Sequence, residues 1–455
     1  MKTDLPLPFL NKMKALLPPE EWEAFLSSYD GPAPKGLRVN TLKGCFSQLQ
    51  DAYDLPLSPV SWEPEGFSYD ETLAQPGKLV LHEAGAYYIQ EPSAMLPATL
   101  LAVRPGEKVL DLCAAPGGKT LQLACQLDGK GLLLSNEIHP ARAKILSENT
   151  ERCGIRNAII CNETSARLAA RFPAFFDKVL VDAPCSGEGM FRKNPEAVRE
   201  WSPENVTLCA ARQDEILDHA AVMLRPGGRL VYSTCTFSPE EDEEAVSRFL
   251  SRHPDFTLSH MEKLLPHKVC GDGQFAAVLS RNGGDFVPDD HLPGAAFDPA
   301  SKKAGRRGSG HAASPVWPEE LTALWKNEPA PERTVSFGNH LYLLPEGAFS
   351  TDGLKILRPG LCLGEWKKDR FEPDHALALA LRPEEARCVV SLDEKEAVSY
   401  LLGNTISRET ENGWTLLTFA DYSLGFGKAV NSVIKNHYPK GLRTQCALRS
   451  APQGS

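Results

Sequence analysis

Short β-rich runs alternate with helical stretches in the middle of the chain, between Lys108 and Ser280. This alternation is typical of parallel βαβ units with right-handed crossovers, and it predicts an open α/β sheet covered by helices on both faces. The predicted strands are Lys108–Ala114, Gly131–Ile138, Asn157–Glu163, Asp177–Asp182 and Gly228–Cys235, with helices over Thr120–Leu127, Pro140–Cys153 and Glu204–Leu224 and an added edge strand over Gln274–Ser280.

The pattern changes on both sides of this region and predicts three domains joined in part by a linker. Residues 1–80 alternate short apolar runs with proline and glycine, which indicates a small α+β domain, and residues 81–282 form the α/β domain. Residues 283–315 are rich in Gly, Pro, Ala and Ser and show no period, which predicts an exposed linker. Short strands and turns return over 316–455, so we expect a second compact, β-rich domain there.

Composition and charge limit the possible functions. Of the 455 residues 42% are apolar and 24% are charged, so the chain can bury hydrophobic cores. The 49 basic and 59 acidic residues leave a net charge of −10, which argues against a histone-like protein that holds nucleic acid by bulk positive charge. No acidic residue follows Asp421, however, and this acid-free tail predicts a local basic surface formed by Lys428, Lys435, Lys440, Arg443 and Arg449.

The amino terminus and the cysteines indicate the compartment. Prolines interrupt the first residues where a signal peptide needs an unbroken apolar core, and no apolar run approaches the ~18 residues of a membrane span. We therefore expect a cytosolic protein without a membrane partner. The 12 cysteines are scattered without any CxxC pair, so we expect neither a disulfide framework nor a bound metal.

A loop with two adjacent glycines follows the first predicted strand of the α/β domain. Gly117 and Gly118 let the backbone approach a ligand closely, and the next helix points free N–H groups at it. Glu137 ends the next strand, where a carboxylate accepts hydrogen bonds from a ribose diol. The loop lacks the glycine spacing of nicotinamide and nucleoside triphosphate sites, which favours S-adenosylmethionine. The predicted cofactor-binding residues are Cys113, Ala114, Ala115, Pro116, Gly117, Gly118, Lys119, Glu137, Asp182 and Glu163, the last preferred over Asn162 and Thr164 as the adenine contact.

Two cysteines follow the ends of predicted strands. The strand ending at Asp182 opens into a loop with Cys185, and the strand from Gly228 ends on Cys235. Buried, inert cysteines are the usual interpretation of single thiols, but this fits poorly for two that both follow strand ends. We expect the two strands to be neighbours, so that both thiols and Asp182 share one cleft.

Methylation of carbon 5 of a pyrimidine would use these groups. A thiolate that adds to carbon 6 makes carbon 5 nucleophilic, provided that an acid neutralises the charge that develops near N3. Asp182, protonated or sharing a proton, suits that role. After methyl transfer a base must remove the carbon 5 proton, and a second thiolate can assist this step.

The residues around these positions resemble a known family. Leu112–Thr120, Val181–Gly189 and Ser233–Thr236 are similar to the cofactor, "PC" and "TC" motifs of the Sun/Nop-type RNA cytosine-5 methyltransferases. The resemblance implies that Cys235 is the nucleophile and that Cys185 assists product release. It also implies S-adenosylmethionine as cofactor and a Rossmann-like methyltransferase core.

The same resemblance assigns further residues and a substrate class. Asp182 would contact the target base and the methyl donor, and Lys119 matches the family's motif lysine. Segments outside the core are similar to the bacterial small-subunit (16S) ribosomal RNA methyltransferase F branch, which has a PUA-like RNA-binding domain at its carboxyl end. These segments are Leu37–Leu42, Gln90–Ser93, Met190–Pro195, Phe337–Tyr342, Arg370–Pro373 and Lys435–Arg443. Ribosomal RNA or the small ribosomal subunit is the partner this implies.

Other interpretations stay open at this point. Asn162–Thr164 departs from the family pattern, so the adenine contact is an open choice. A nicotinamide-dependent oxidoreductase, a catalytically silent RNA-binding factor and the same chemistry on tRNA are the alternatives. Met190, Phe191, Arg192 and Lys193 are expected to line the approach for RNA and to grip its backbone.

Overall fold

The amino-terminal part of the chain combines short helices with an antiparallel sheet. The computed structural model describes residues 5–283, 317–326, 329–368 and 370–443. The first elements are α1 (Leu7–Leu16), α2 (Trp22–Ser27), β1 (Lys35–Val39), α3 (Phe46–Ala52), β2 (Leu57–Val60), β3 (Glu63–Tyr69), α4 (Val80–Glu83) and β4 (Tyr87–Ile89). The strands pair in the order β2-β3-β1-β4. The sheet of the first domain therefore continues past residue 80 as far as Ile89.

The middle of the chain alternates strands and helices. Its elements are α5 (Leu96–Leu101), β5 (Lys108–Asp111), α6 (Gly118–Leu127), β6 (Leu132–Asn136), α7 (Pro140–Arg152), β7 (Ala158–Cys161), α8 (Ser165–Arg171), β8 (Phe176–Asp182), α9 (Pro195–Glu200), α10 (Pro203–Met223), β9 (Leu224–Thr234), α11 (Glu243–Arg252), β10 (Phe256–Leu264) and β11 (Gln274–Arg281). Every predicted strand and helix of this region is present, with ends that differ by a few residues. Ser202 caps α10 and Pro203 occupies its first position, which explains where that helix begins.

The carboxyl-terminal part is rich in strands, as predicted. It contains α12 (Glu319–Leu324), β12 (Thr334–Phe337), β13 (His340–Leu343), β14 (Ile356–Arg358), β15 (Leu361–Lys367), β16 (Arg370–Pro373), α13 (His375–Ala380), β17 (Val389–Ser391), α14 (Glu394–Leu401), β18 (Ile406–Ser407), β19 (Gly413–Phe419), β20 (Tyr422–Val430) and β21 (Val433–Asn436). Two sheets result, with orders β12-β13-β15-β16 and β17-β19-β20-β21-β18. The linker predicted over 283–315 lies outside the described residues apart from residue 283, and Arg449 lies outside them as well.

The central sheet positions the candidate site. Its order is β10-β11-β9-β8-β5-β6-β7-β14, and β9, β8, β5, β6 and β7 run parallel. Neighbouring residues along its strands enter different cores: Leu110 and Leu134 belong to the core on one face, and Val109 and Leu133 to the core on the other. Such burial on both faces requires the continuous apolar runs from which these strands were predicted.

One strand prediction needs correction. Gln274–Arg281 is a strand, but β10 pairs with its outer side, so it is not the edge of the sheet. The sequence pattern missed β10 because most of its residues are exposed, which leaves no apolar alternation to detect. At the opposite edge, β14 pairs with β7 although it lies beyond the predicted linker.

The last domain also packs against the first. Leu37 and Tyr87 of the amino-terminal part share one buried core with Tyr400 and Tyr422. The carboxyl-terminal domain is therefore held by packing as well as by its covalent connection. No helix of the described residues is long and apolar enough to cross a membrane.

Candidate active site

The site lies at the carboxyl ends of β5, β8 and β9. Strands β8 and β9 are parallel neighbours, and Asp182 stands opposite Ser233 in their register. The predicted neighbourhood of the two strands is thus confirmed. Because each cysteine follows the end of its strand, both thiols reach the same edge of the sheet, where ligands bind in open α/β folds.

The two thiols are in direct contact. Cys185 Sγ lies 3.4 Å from Cys235 Sγ, and both residues are partly exposed. The hydrogen bond with Cys235, followed by burial and the charge of Glu241, raises the pKa of the Cys185 thiol well above its usual value. Cys185 therefore keeps its proton at neutral pH.

A lysine and a carboxylate lie beside the thiols. Lys119 Nζ donates to Asp182 Oδ2 at 2.7 Å, and Asp182 Oδ1 accepts from Ser233 Oγ at 2.7 Å and from Gln274 Nε2 at 3.1 Å. Burial disfavours the charge on Lys119, but Asp182 and then Cys235 outweigh burial and raise the pKa of Lys119. The proton shared by this pair therefore sits on Lys119. Sequence reasoning missed Gln274, since nothing in an apolar strand marks one glutamine as part of a site.

The glycine loop connects β5 to α6, and its two glycines are required by the backbone conformation at one position and by neighbouring side chains at the other. Gly117 adopts a φ of +121°, and a Cβ on Gly118 would lie 3.1 Å from the side chains of Gln90 and Tyr88. Helix α6 begins at Gly118. Arg142 Nη2 donates to the Ala115 carbonyl at 2.7 Å, which fixes the loop against α7.

A buried carboxylate that sequence reasoning missed connects the strand before the glycine loop to the helix after it. Asp111 Oδ2 accepts from Thr120 Oγ1 at 2.7 Å, while its Oδ1 has no hydrogen-bond partner in the described part of the chain. Burial raises the pKa of Asp111 to about 7. Burial likewise raises the pKa of Cys113, so this third thiol of the region is held in its neutral form.

The two predicted glutamates differ in their surroundings. Glu137 follows β6, accepts from the His139 N–H at 2.9 Å and keeps further acceptor positions, with Arg142 Nη1 3.5 Å away. Glu163 is as deeply buried as Glu137, each being 3% exposed, but it accepts from the Lys355 N–H at 2.8 Å and lies 3.4 Å from Arg167 Nη1. Asn162 donates to the Glu137 and Ile138 carbonyls and Thr164 caps α8. All of these side chains have structural partners, and the adenine contact stays a prediction.

Comparison with known proteins identifies the family. The family model described as "16S rRNA methyltransferase RsmB/F" matches residues 98–280. The model for the N-terminal domain of 16S rRNA methyltransferase RsmF matches residues 5–92. The RsmF first C-terminal domain matches 317–381 and the RsmF PUA domain matches 387–444. The ribosomal RNA small subunit methyltransferase F of Pectobacterium atrosepticum is 31% identical, with 98% of each chain covered. The same-named protein of Vibrio cholerae is 32% identical, covering 96% of this chain and 97% of the relative.

The chain belongs to the RsmB/F family of 16S rRNA methyltransferases.

Solved structures agree with this fold. A methyltransferase homolog protein from Pyrococcus horikoshii has a TM-score of 0.52 at 28% identity, covering 58% of this chain and 91% of that chain. NSun6 from the same organism, solved with SFG, has a TM-score of 0.56 at 22% identity, covering 61% and 99%. The predicted Rossmann-like methyltransferase core with a PUA domain is confirmed, and membership of this family excludes the nicotinamide-dependent oxidoreductase.

Two side chains in the loop after Cys185, Phe191 and Arg192, do not have the role predicted for them. Arg192 Nε donates to Asp272 Oδ1 at 2.8 Å and Nη1 donates to the Ser28 carbonyl at 3.0 Å. Phe191 is buried and packs its ring 5.0 Å from that of Phe9. Lys193 also pairs with Asp272. The prediction that Phe191 and Arg192 face RNA is wrong, because both side chains fix the amino-terminal helices of this RsmB/F protein to its catalytic domain.

The PUA domain carries exposed cations beside an aromatic side chain. Lys428 and Lys435 are cross-strand neighbours on β20 and β21, and Lys428 Nζ lies 5.5 Å from the centroid of the Trp414 ring. Lys428, Lys435 and Lys440 are exposed, and no carboxylate of the described residues forms an ion pair with any of them. These lysines belong to the basic tail predicted from the sequence, whereas Arg443 of the same tail is half-buried and donates to the Tyr438 carbonyl.

Proposed function

We propose that this protein forms 5-methylcytosine in 16S rRNA, with Cys235 as the attacking thiolate. The observation that carries the proposal is the placement of two thiols 3.4 Å apart beside the Lys119–Asp182 pair at one strand edge. A cytosine ring at this edge meets a nucleophile and a charged hydrogen-bond donor together. Methylation of small-subunit RNA is in the names of the relatives, and carbon 5 is the position that paired thiols serve.

S-adenosylmethionine is the methyl donor that the glycine loop fits. Gly117, with its positive φ, leads the chain into α6, whose first N–H groups have no partner within the helix, and Glu137 keeps acceptor positions for a ribose diol. When bound, this donor supplies an electrophilic methyl group. Asp182 and the loop 113–119 would hold it next to the thiols, with Glu163 as the proposed adenine contact.

The two thiols would take different parts in the reaction. Cys235 Sγ forms a bond to carbon 6, and carbon 5 then takes the methyl group. Lys119, held charged by Asp182, donates a hydrogen bond or its proton to the N3 side of the ring, where negative charge develops. Asp182 thus acts through its hydrogen bond with Lys119.

Product release would depend on the same contact between the thiols. The largest cause of the raised pKa of Cys185 is its hydrogen bond with Cys235. Once Cys235 is bonded to carbon 6 that hydrogen bond is lost, and the pKa of Cys185 falls. Cys185 can then lose its proton to water, and its thiolate takes the proton from carbon 5. The Cys235–carbon 6 bond breaks with its electron pair returning to Cys235 Sγ, while Lys119 recovers any proton that it gave to the N3 side of the ring.

Two variants and one control test this assignment. With labelled S-adenosylmethionine and 16S rRNA, Cys235→Ala should abolish transfer of label, and Cys185→Ala should accumulate a covalent protein–RNA adduct visible on a denaturing gel. Cys45→Ala removes an exposed thiol of the amino-terminal domain and should behave as the parent protein. Label transfer that survives Cys235→Ala would exclude Cys235 as nucleophile, and normal turnover by Cys185→Ala would exclude its part in release.

The domain division and the substrate are parts of the same proposal. Residues 81–282 would perform the chemistry. Residues 1–80, before this catalytic domain, and residues 316–455, after the linker 283–315, would bind RNA. A ribosomal substrate implies a cytoplasmic location. Bisulfite sequencing of 16S rRNA and tRNA from a deletion strain distinguishes the rRNA assignment from tRNA, while a silent RNA-binding factor would leave both unchanged.

A further inference from the structure

Two buried carboxylates brace the cysteine-bearing loops against each other. Glu188, in the loop after Cys185, accepts from the Phe237 N–H and from Ser238 Oγ, both at 2.9 Å, in the loop after Cys235. Glu241 makes the reverse connection from the Cys235 side to Ser186. Both carboxylates are fully buried. Each loop therefore supplies an acceptor for donors of the other.

Glu241 lies nearer to the thiols. Its Oε2 accepts from the Ser186 N–H at 3.0 Å and from Gln213 Nε2 at 2.8 Å, and Ser186 Oγ also contacts its Oε1. Ser186 Oγ in turn lies 2.9 Å from Thr236 Oγ1. Ser186 and Thr236 directly follow Cys185 and Cys235. The carboxylate of Glu241 is therefore linked by hydrogen bonds to both residues that follow the cysteines, directly to Ser186 and through it to Thr236.

We propose that Glu241 is a positioning residue that holds the Cys185 loop against the Cys235 loop and keeps Cys185 the protonated member of the pair. This proposal rests on the proposed roles of the two cysteines. Burial raises the pKa of Glu241, and the three donors that face its carboxylate oppose this and favour the ionised form. That negative charge disfavours a thiolate at Cys185, so the attack is left to Cys235. Sequence reasoning missed Glu241 because it lies in the acidic run 240–244, which reads as a solvated surface.

The surroundings of Glu241 allow the charge and the geometry to be tested separately. The titratable groups that face it are Glu188, Cys185, Cys209 and Tyr232. In Glu241→Gln the amide oxygen can accept from the Ser186 and Gln213 N–H groups, and the amide nitrogen can donate to Ser186 Oγ. This variant keeps the brace and removes the charge. Glu241→Ala removes both.

The first measurement needs neither RNA nor methyl donor. The full-length protein is alkylated with iodoacetamide from pH 6 to 10, and modification of Cys185 and Cys235 is followed separately by mass spectrometry. Glu241→Gln should shift the alkylation profile of Cys185 to lower pH. Glu63→Gln removes another buried carboxylate, in the amino-terminal sheet, and should leave that profile unchanged. An unshifted Cys185 profile in Glu241→Gln would overturn the electrostatic part of the proposal.

The second measurement is single-turnover methylation of 16S rRNA. Glu241→Ala should lower the rate of the chemical step about 100-fold, as for a displaced catalytic group, with the KM for RNA little changed. Glu241→Gln should restore most of that rate. If Glu241→Ala does not fold, Ser186→Ala removes the Ser186–Thr236 contact instead and should slow the same step. Equal rates in Glu241→Ala and Glu63→Gln would overturn the positioning role, whereas activity of Cys235→Ala would overturn the proposed function and leave the alkylation result standing.

Discussion

The exposed lysines of the PUA domain provide a quantitative test of RNA binding. Lys428 and Lys435 stand side by side on β20 and β21 without a carboxylate partner among the described residues, so each is free to neutralise one phosphate. Each lost phosphate contact makes the slope of log affinity against log salt less steep by about 0.7 to 0.9. The double variant Lys428→Ala/Lys435→Ala should therefore lose about 1.4 to 1.8 from this slope.

The size of the effect suits a binding titration. Between 50 and 200 mM salt, the parent protein should lose about 10-fold more affinity than the double variant, because that interval is about 0.6 log units. Anisotropy with a labelled 16S rRNA fragment measures this in a Cys235→Ala background, which prevents covalent capture. Lys395→Ala, an exposed lysine on α14 of the same domain, is the control. A slope unchanged by the double variant, or lowered equally by the control, would show that RNA binds elsewhere.

Three further predictions concern the catalytic domain and its supports. Glu137→Gln should raise the KM for S-adenosylmethionine about 10-fold and leave the KM for RNA unchanged in initial-rate assays, because only the charged acceptor for the ribose is lost. Arg192→Ala should cost about 1 to 3 kcal/mol of unfolding free energy in urea titrations, because Asp272 keeps Lys193 as a partner but the Ser28 and Gly271 carbonyls lose a donor, while the salt slope of RNA binding stays unchanged. Asp111 has a pKa of about 7 in the folded protein, so the stability that its proton contributes is complete below about pH 4 and is lost as the pH rises through 7. Between about pH 4 and pH 7, the unfolding free energy of the parent should therefore fall relative to that of Asp111→Asn by about 1.4 kcal/mol per pH unit. If the two proteins lose stability in parallel over this range, the pKa of Asp111 is not raised.

The sequence predicts the central sheet well because its strands are buried on both faces. Strands β5, β6 and β7 are nearly continuous apolar runs, and they lie side by side as consecutive parallel strands usually do. Exposed β10 and three-residue β14 carry no such signal. Their positions depend on pairing with β11 and β7, which the local pattern of neither segment can reveal.

The same difference applies to the residues of the candidate site. The thiols, Asp182 and the glycine loop were predictable because each follows the end of an apolar strand, and strand ends share an edge. The residues that hold them were not predictable. Gln274, Glu188 and Glu241 come from the start of a strand, a turn and an acidic run, and only the folded chain brings them to the site.

The acidic total has a structural explanation that bears on RNA binding. Several carboxylates lie fully or nearly fully buried, where they accept hydrogen bonds or ion pairs from the chain itself: Glu63, Glu188, Glu241, Asp242 and Asp272. A buried, compensated carboxylate contributes little to the potential at the surface, yet it counts fully in the sum of −10. The exposed lysines of β20 and β21 have no such compensation. The field that a phosphate meets at the PUA domain is therefore more positive than the net charge indicates, and the salt dependence of binding follows these few exposed cations.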